Sequence, residues 1–272
     1  MTRKESCFLK YVRHDLHCGI LSQWPKYAVI ALVFLWMCLM QFRGVQLMQQ
    51  LAKEGEIVQA TVGDYIAELM QGMNPFNPED THFTINILWL FINLYLAYLV
   101  SFYPFKDLQG YGQQMLLRAQ NRVQWWICKC IWNIFSVCAF YAVMYLCALL
   151  VALCTGAQLQ ILPGISGAVR FENAADAWIQ MILCPVVVSV GISMLQMLIS
   201  LIFKPIFGIL GVCLILVVSI FTNSSFAPGN HLMMLRVARL EVWPGLLLAF
   251  VFVVVAVVAG SLYFRKKDLF GS

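Results

Sequence analysis

The residues with the clearest potential for covalent chemistry lie in the string Gly164-Ile165-Ser166-Gly167. A serine hydroxyl is a weak nucleophile until a neighbouring base takes its proton, so the string matters only if a histidine faces it. A second polar string, His82 to Asn86, has the spacing HxxxN. The residues after Ser166 have the composition of a hydrated loop: Arg170, Glu172, Asn173 and Asp176.

Other chemistries lack the residues that they need in this sequence. No GxxxxGK[ST] string is present, so any use of ATP requires a separate subunit. Cys128-Lys129-Cys130 has the wrong spacing for a zinc site and no histidine nearby. No Asp or Glu lies inside any of the long apolar stretches, whereas proton- and sodium-coupled transporters generally need intramembrane acids. The sequence therefore disfavours ion-coupled transport and predicts no metal site.

The elements that position these residues are membrane helices, because the composition is that of a lipid-embedded chain. Hydrophobic residues make up 61% and charged residues 11%, with a mean hydropathy of +0.79. Soluble domains average about 45–50% apolar and about 25% charged residues. We predict an all-α, polytopic membrane protein, a single transmembrane domain over residues 1–272. None of the ten cysteines lies in the segments that we expect on the outer side of the membrane, a distribution typical of reduced thiols.

Six apolar stretches approach the roughly 20 residues that a helix needs to cross a bilayer. Five of the eight tryptophans lie at or near the ends of these stretches, as an interfacial belt requires. Isolated polar residues within or bordering them, Asn86, Asn93, Asn133, Ser189, Gln196 and Ser200, are expected to make helix–helix hydrogen bonds. The stretches are 24–43, 83–105, 125–154, 177–203, 205–221 and 243–264.

The distribution of basic residues predicts the orientation. Of the 18 Lys and Arg residues, thirteen fall on the side that holds the N-terminus and five on the other side. The positive-inside rule then places both termini in the cytoplasm, in a multi-pass protein of the cell membrane. The net charge of +5 follows from this asymmetry and indicates no nucleic-acid partner.

Three segments outside the stretches have helical patterns. Apolar residues recur every four positions in 8–24, which predicts an amphipathic helix in the membrane interface before the first span. The long outer segment 44–82 contains a pattern for a short helix around residues 57–70, and 222–242 contains a second outer helical piece. A kink or packing adjustment is expected in the fourth span at Pro185 and Gly191.

In this order of elements the chain resembles the permease subunit of type-2 ABC transporters of Gram-positive bacteria. The resemblance rests on topology over the whole chain and on three strings: Tyr11 to Leu16, Pro228 to Arg236 and Tyr263 to Asp268. In that family an interfacial helix precedes span one, a cytoplasmic helix follows span two, and short helical pieces join spans five and six outside.

The resemblance implies an exporter of an amphipathic cargo, with a peptide as one option. A separate ABC ATPase would hydrolyse ATP with Mg²⁺, and a second permease copy or a homologous permease would complete the complex in the lipid bilayer. The chain itself would hold no cofactor and would not be an enzyme. The segment 106–122 would couple to the ATPase, with these contact residues: Asp107, Leu108, Tyr111, Met115, Leu116, Leu117, Arg118 and Arg122.

Two other functions stay open at this point. One is a non-transporting membrane accessory or immunity protein. The other is an intramembrane serine protease, because the GxSG and HxxxN strings also resemble rhomboid proteases. Rhomboids take their base from the sixth span, whereas the sixth stretch here has no histidine and His231 lies in the preceding outer segment. The sequence therefore disfavours the protease.

Overall fold

The computed structural model describes residues 3–51, 59–77, 83–110, 122–165, 171, 173–237 and 239–266. Within them the fold is helical, and its only β-type contact is an isolated bridge between Thr61 and Gln158. Short 3₁₀ helices cover Leu21–Gln23 and Pro228–Leu232. The α-helices are α1 Arg3–Gly19, α2 Trp24–Leu51, α3 Val62–Leu69, α4 Ile87–Gln109, α5 Arg122–Thr155, α6 Ala174–Trp178, α7 Cys184–Ile202, α8 Pro205–Phe221, α9 Met234–Val237 and α10 Val242–Lys266.

The all-helical fold confirms the predicted fold class, and the apolar helices indicate a multi-pass membrane protein. Among the described residues, five helical stretches are long and apolar enough to cross a membrane. Helix α8 is apolar but has only 17 residues; at about 1.5 Å per residue it is a few Å shorter than a hydrocarbon layer of about 30 Å. The five candidate stretches are Lys10–Leu51, Ile87–Gln109, Arg122–Thr155, Ala174–Ile202 and Val242–Arg265.

Local sequence explains where several helices begin. The hydroxyl of Thr61 accepts a hydrogen bond from the backbone N–H of Asp64, and the Asp64 carboxylate accepts one from the N–H of Thr61. This reciprocal pair is a capping box, and it starts α3 within the predicted outer segment. Asn86 caps α4 by accepting a hydrogen bond from the N–H of Trp89. Helix α2 continues to Leu51, past the predicted end at Arg43, because residues 44–51 are mostly good helix formers.

The fourth predicted span is distorted, but one turn earlier than the sequence indicated. A π-helical turn, Ile179–Leu183, joins α6 to α7 directly before Pro185. Proline has no N–H and its ring clashes with the carbonyl four residues earlier, so a wide turn at this place relieves the conflict. Gly191 lies against Ala249 of α10, where a Cβ would have only 2.9 Å to the Ala249 Cα. Gly191 therefore serves helix packing.

Helix α7 lies at the centre of the bundle, in contact with α4, α5, α8 and α10. The bundle has two distinct ends. The α1 end is where α1 packs on α5, near the C-terminal ends of α4 and α10. The cap end is covered by α3, the 3₁₀ helix Pro228–Leu232 and α9, which we call the cap.

Candidate functional site

A buried lysine joins three helices at the α1 end. Lys129, near the start of α5, places its Nζ 2.5 Å from Asp15 Oδ1 of α1 and 2.7 Å from Asp107 Oδ2 of α4. The Tyr103 hydroxyl donates a hydrogen bond to Asp15 Oδ1 at 2.8 Å, and the Trp125 indole N–H donates one to Asp107 Oδ2 at 3.2 Å. We call these five residues the ion cluster.

The ion cluster satisfies a charge that water does not reach. The Lys129 side chain is only 1% exposed, and an ammonium removed from water requires ionic partners and hydrogen bonds. The rings of Tyr103 and Trp125 lie 4.8 and 5.3 Å from Lys129 Nζ, which adds cation–π attraction. Two carboxylates share one ammonium, so Lys129 keeps an ionic partner if either Asp15 or Asp107 moves away.

Helix α1 is packed closely onto the bundle around this cluster. A Cβ at Gly19 would overlap the indole ring of Trp132, so only glycine allows this approach of the two helices. Asp15 and Gly19, four residues apart, therefore form the buried face of α1. Lys10, Arg13 and His17 are exposed on the opposite side, as the predicted amphipathic pattern requires.

The predicted ATPase-contact residues are only partly within the described chain. Tyr111, Met115, Leu116, Leu117 and Arg118 lie outside the described residues, as does the predicted cytoplasmic helix that contains them. Asp107 points inward to Lys129. Leu108 packs against the hydrophobic core, and Arg122 is half-buried at the first residue of α5. The structure thus places the residues that flank the segment next to the ion cluster, while direct contact with a partner stays a prediction.

Four of the six polar residues, Asn133, Ser189, Gln196 and Ser200, make the helix–helix hydrogen bonds that the sequence predicted. Asn93 instead bonds the Trp89 carbonyl of its own helix, and Asn86 caps α4 and bonds Gln71 in the loop after α3. One row on α7 faces α4 and α5 at helical spacing, and all its members are buried. Ser193 Oγ accepts from Asn133 of α5 at 2.9 Å, and Gln196 Nε2 donates to the Ala97 carbonyl of α4 at 2.6 Å. The other two members of the row are Ser189, paired with Tyr141, and Ser200, paired with Ser101.

At the cap end a buried arginine takes a different kind of partner. Arg236 is 2% exposed and donates six hydrogen bonds, five to backbone carbonyls and one to the side chain of Asn230. No carboxylate pairs with it among the described residues. Its carbonyl partners belong to the loop after α3 and to the C-terminal end of α8, where helix carbonyls lack intrahelical donors. These residues are Met73, Asn74, Ser219, Ile220 and Thr222.

The first two residues of the GxSG string, Gly164 and Ile165, are bonded to the capping carboxylate of α3. Asp64 Oδ2 accepts a hydrogen bond from the backbone N–H of Gly164 at 3.1 Å, and Oδ1 accepts one from Ile165 at 3.0 Å. The carboxylate that caps α3 therefore also holds the first half of the string. Ser166, Gly167 and His82 lie outside the described residues.

Two titratable groups of the cap lie away from water, His231 fully buried and Glu68 half-buried. The His231 ring is bonded through Nε2 to the Ser225 carbonyl at 2.7 Å. Burial lowers the pKa of His231, and this hydrogen bond opposes the shift in part. Burial raises the pKa of Glu68. In both groups burial disfavours the charged form.

Two open cavities adjoin the cap. One of about 310 Å³ lies between α2, α3 and the end of α5, and Tyr65 and Thr155 are among its lining residues. The other, of about 350 Å³, lies beside the loop after α3 and the start of α4, with Gln71, Asn74 and Asn86 in its wall. Amide and hydroxyl groups line both, so they suit polar or water-filled contents better than apolar ones.

Sequence reasoning missed the role of Asp15 and of Arg236. A signal for Asp15 was present, because Val12, Asp15, Leu16 and Gly19 share one face of α1, and an acid on an apolar face requires a partner. The matching signal was Lys129, a charge within the apolar pattern of α5. Arg236 gave no such signal, since its partners are backbone carbonyls of distant segments.

The fold and the site define the class of protein as an all-helical, multi-pass membrane protein with a buried charge at each end. Residues 34–270 match the model of DUF2705, a family of proteins of unknown function. This match covers most of the chain, and the chain belongs to that family. No curated protein and no solved structure matches it.

Proposed function

We propose that the chain is the membrane subunit of an ABC-type exporter with six spans and cytoplasmic termini. In this proposal a separate ATPase supplies ATP hydrolysis, a second permease completes the pore, and the cargo is amphipathic. The α1 end faces the cytoplasm, and the cap lies outside. The segment 106–122 is the contact with the ATPase.

One observation carries this proposal: the ion cluster ties the N-terminal helix to both ends of the segment 106–122. Asp107 lies just before the part of the segment outside the described residues, and Lys129 lies shortly after it. Asp15 adds α1 to the same cluster. A protein driven by a cytoplasmic motor needs its contact segment attached to the bundle so that motion reaches the spans, and a buried, charge-paired base supplies such an attachment.

The interior of the bundle supports transport driven by movement of the helices rather than transport coupled to an ion. Polar side chains of α7 are bonded to α4 and α5. Asp64 accepts hydrogen bonds from Thr61, Gly164 and Ile165, which gives the first two residues of the GxSG string a structural role.

The test is to purify the tagged full chain from its native membrane in mild detergent and identify what accompanies it. We expect an ABC ATPase in stoichiometric amount. Arg118→Glu combined with Leu117→Ala should remove this ATPase. The matched control is Arg239→Glu at the exposed edge of the cap, which should leave the association unchanged.

Other outcomes point to other functions. ATPase association without any change in its ATP turnover would indicate an accessory or immunity subunit. Absence of an ATPase in several detergents would refute the exporter. If proteolytic activity were present and Ser166→Ala abolished it, the protease would replace the exporter, whereas an exporter should tolerate that substitution.

A further inference from the structure

The ion cluster divides into two arms that meet at one atom. Lys129 Nζ binds Asp15 at 2.5 Å and Asp107 at 2.7 Å, so one ammonium carries both contacts. The first arm joins α5 to α1. The second arm joins α5 to α4, the two helices that precede and follow residues 111–121 in the chain.

Each arm attaches α5 to another helix in addition to neutralising a buried charge. A complete buried ion network can often be replaced by well-packed hydrophobic residues without loss of stability, so the charges as a set are not needed for folding. Here the aromatic side chains of Tyr103 and Trp125 each bond one of the two carboxylates and also face the ammonium. The carboxylates are thereby held in place by groups other than Lys129.

We propose that Lys129 is a positioning residue that makes α1 and the two flanks of the segment 106–122 move as one body. Without the two arms, a force on that segment would separate α4 from α5 more easily, and α1 would follow only through its packing on α5 and its link to α2. With both arms closed, displacement of the segment moves α1 and the start of α5 together. The use of this joint in transport rests on the function proposed above.

The two arms are separable by substitution, because each neutralised acid leaves Lys129 one ionic partner. Asp15→Asn opens only the arm to α1. Asp107→Asn opens only the arm to α4. Lys129→Met opens both, and the swap Asp15→Lys with Lys129→Asp rebuilds a cation between two carboxylates.

The experiment is amide hydrogen exchange of the purified full chain in detergent. We expect Asp15→Asn to speed exchange in residues 8–19 about tenfold, the factor for a lost charged hydrogen bond of ~1.5 kcal/mol. Asp107→Asn should do the same only in the flanks 105–110 and 122–128. Lys129→Met should affect both regions, and the swap, which rebuilds the ion pair between α1 and α5, should restore protection in residues 8–19. If every variant changed exchange equally in both regions, or if no variant changed it, the proposed role of Lys129 would be refuted.

A second measurement distinguishes the role of Lys129 in coupled motion from a purely stabilising role. It also tests that role independently of the proposed exporter function. In the complex with its ATPase, a non-hydrolysable ATP analogue with Mg²⁺ should change exchange in α1 of the wild-type chain. Asp15→Asn should keep the ATPase bound but abolish this change. An unchanged response in Asp15→Asn would refute the joint. If no ATPase accompanies the wild type while the separable pattern holds, the joint stands and the exporter fails.

If Lys129→Met does not fold, the two asparagine variants still decide the matter. They keep one ion pair each and differ only in the arm that they open. Exchange that rises in the same peptides for both variants would contradict two separable arms.

Discussion

The two ends of the bundle each bury one cation, and they satisfy it in opposite ways. Lys129 at the α1 end lies between two carboxylates, with its side chain 1% exposed. Arg236 at the cap end is 2% exposed and bonds five backbone carbonyls and one amide. Lysine is a compact charge with rotatable donors, whereas the arginine fork is planar and fixes several acceptors at once.

Because of this difference, the ionic attachment at the α1 end can lose a partner, whereas the attachment at the cap end cannot. Asp15 and Asp107 belong to different helices, so Lys129 can lose one and keep the other. The carbonyl partners of Arg236 belong to chain segments on both sides of the cap, and no substitution of side chains neutralises them. We infer that the α1 end is built to move and the cap is built to stay closed around its arginine.

The largest effect that would test this comparison is expected from Arg236→Leu. It orphans the carbonyl oxygens of Met73, Asn74 and the end of α8 in a largely buried site, which we expect to cost about 4 kcal/mol. The free energy of unfolding by SDS in mixed micelles measures it. Arg236→Lys should lose about half as much, because lysine keeps the charge and some of the donors that leucine lacks. The control Arg239→Leu, at an exposed position, should stay within about 0.5 kcal/mol of the wild type.

The next effect concerns Lys129 in the same unfolding measurement. Lys129→Met leaves two carboxylates buried without their cation and should cost about 3 kcal/mol. Asp15→Asn or Asp107→Asn alone should cost about 1.5 kcal/mol. The triple variant without any of the three charges should regain much of the loss, since removal of a complete buried ion network is often neutral. If the triple variant were as unstable as Lys129→Met, the charges at the α1 end would be as hard to replace as Arg236, and the contrast between the two ends would not hold.

A smaller effect tests how α1 is attached. Gly19→Ala places a methyl group in the ring of Trp132 and should cost about 2 kcal/mol through displacement of α1. Gly44→Ala is the matched control, because Gly44 lies within α2 and a Cβ there meets nothing within 4 Å. It should stabilise the helix by about 1 kcal/mol. Equal effects of the two substitutions, measured as melting temperatures, would mean that α1 is not packed against Trp132 as closely as the structure shows.

The two ends also differ in how much of their structure could be predicted from the sequence. Apolar length and helical period predicted the long helices and the amphipathic α1, because these depend on local pattern. The α3 helix was predicted near Val62 for the same reason. The partners of Lys129 could not be predicted from one helix, since Asp15 is 114 residues away along the chain. Arg236 was less predictable still, because every segment has carbonyl groups and none is marked in the sequence.

The smallest expected effect is a pH dependence confined to the cap. Burial lowers the pKa of His231 below its ordinary 6.5 in the folded chain, so the unfolded chain binds its proton first as the pH falls. Stability from His231 is therefore complete above pH 6.5 and declines as the pH falls through the folded pKa. Glu68 acts in the opposite sense, because burial raises its pKa above 4.5, and its contribution is lost as the pH rises through that raised pKa.

The two groups can be separated by amide exchange in residues 225–235 between pH 7.5 and 5.5, after correction for intrinsic rates. We expect wild-type protection to fall towards pH 5.5, whereas His231→Gln, which keeps a donor for the Ser225 carbonyl, should show a flatter profile. Glu68→Gln should leave the fall intact. If His231→Gln kept the full pH dependence, another group would govern the cap. A fall of the same size in residues 8–19 would mean that the two ends respond together.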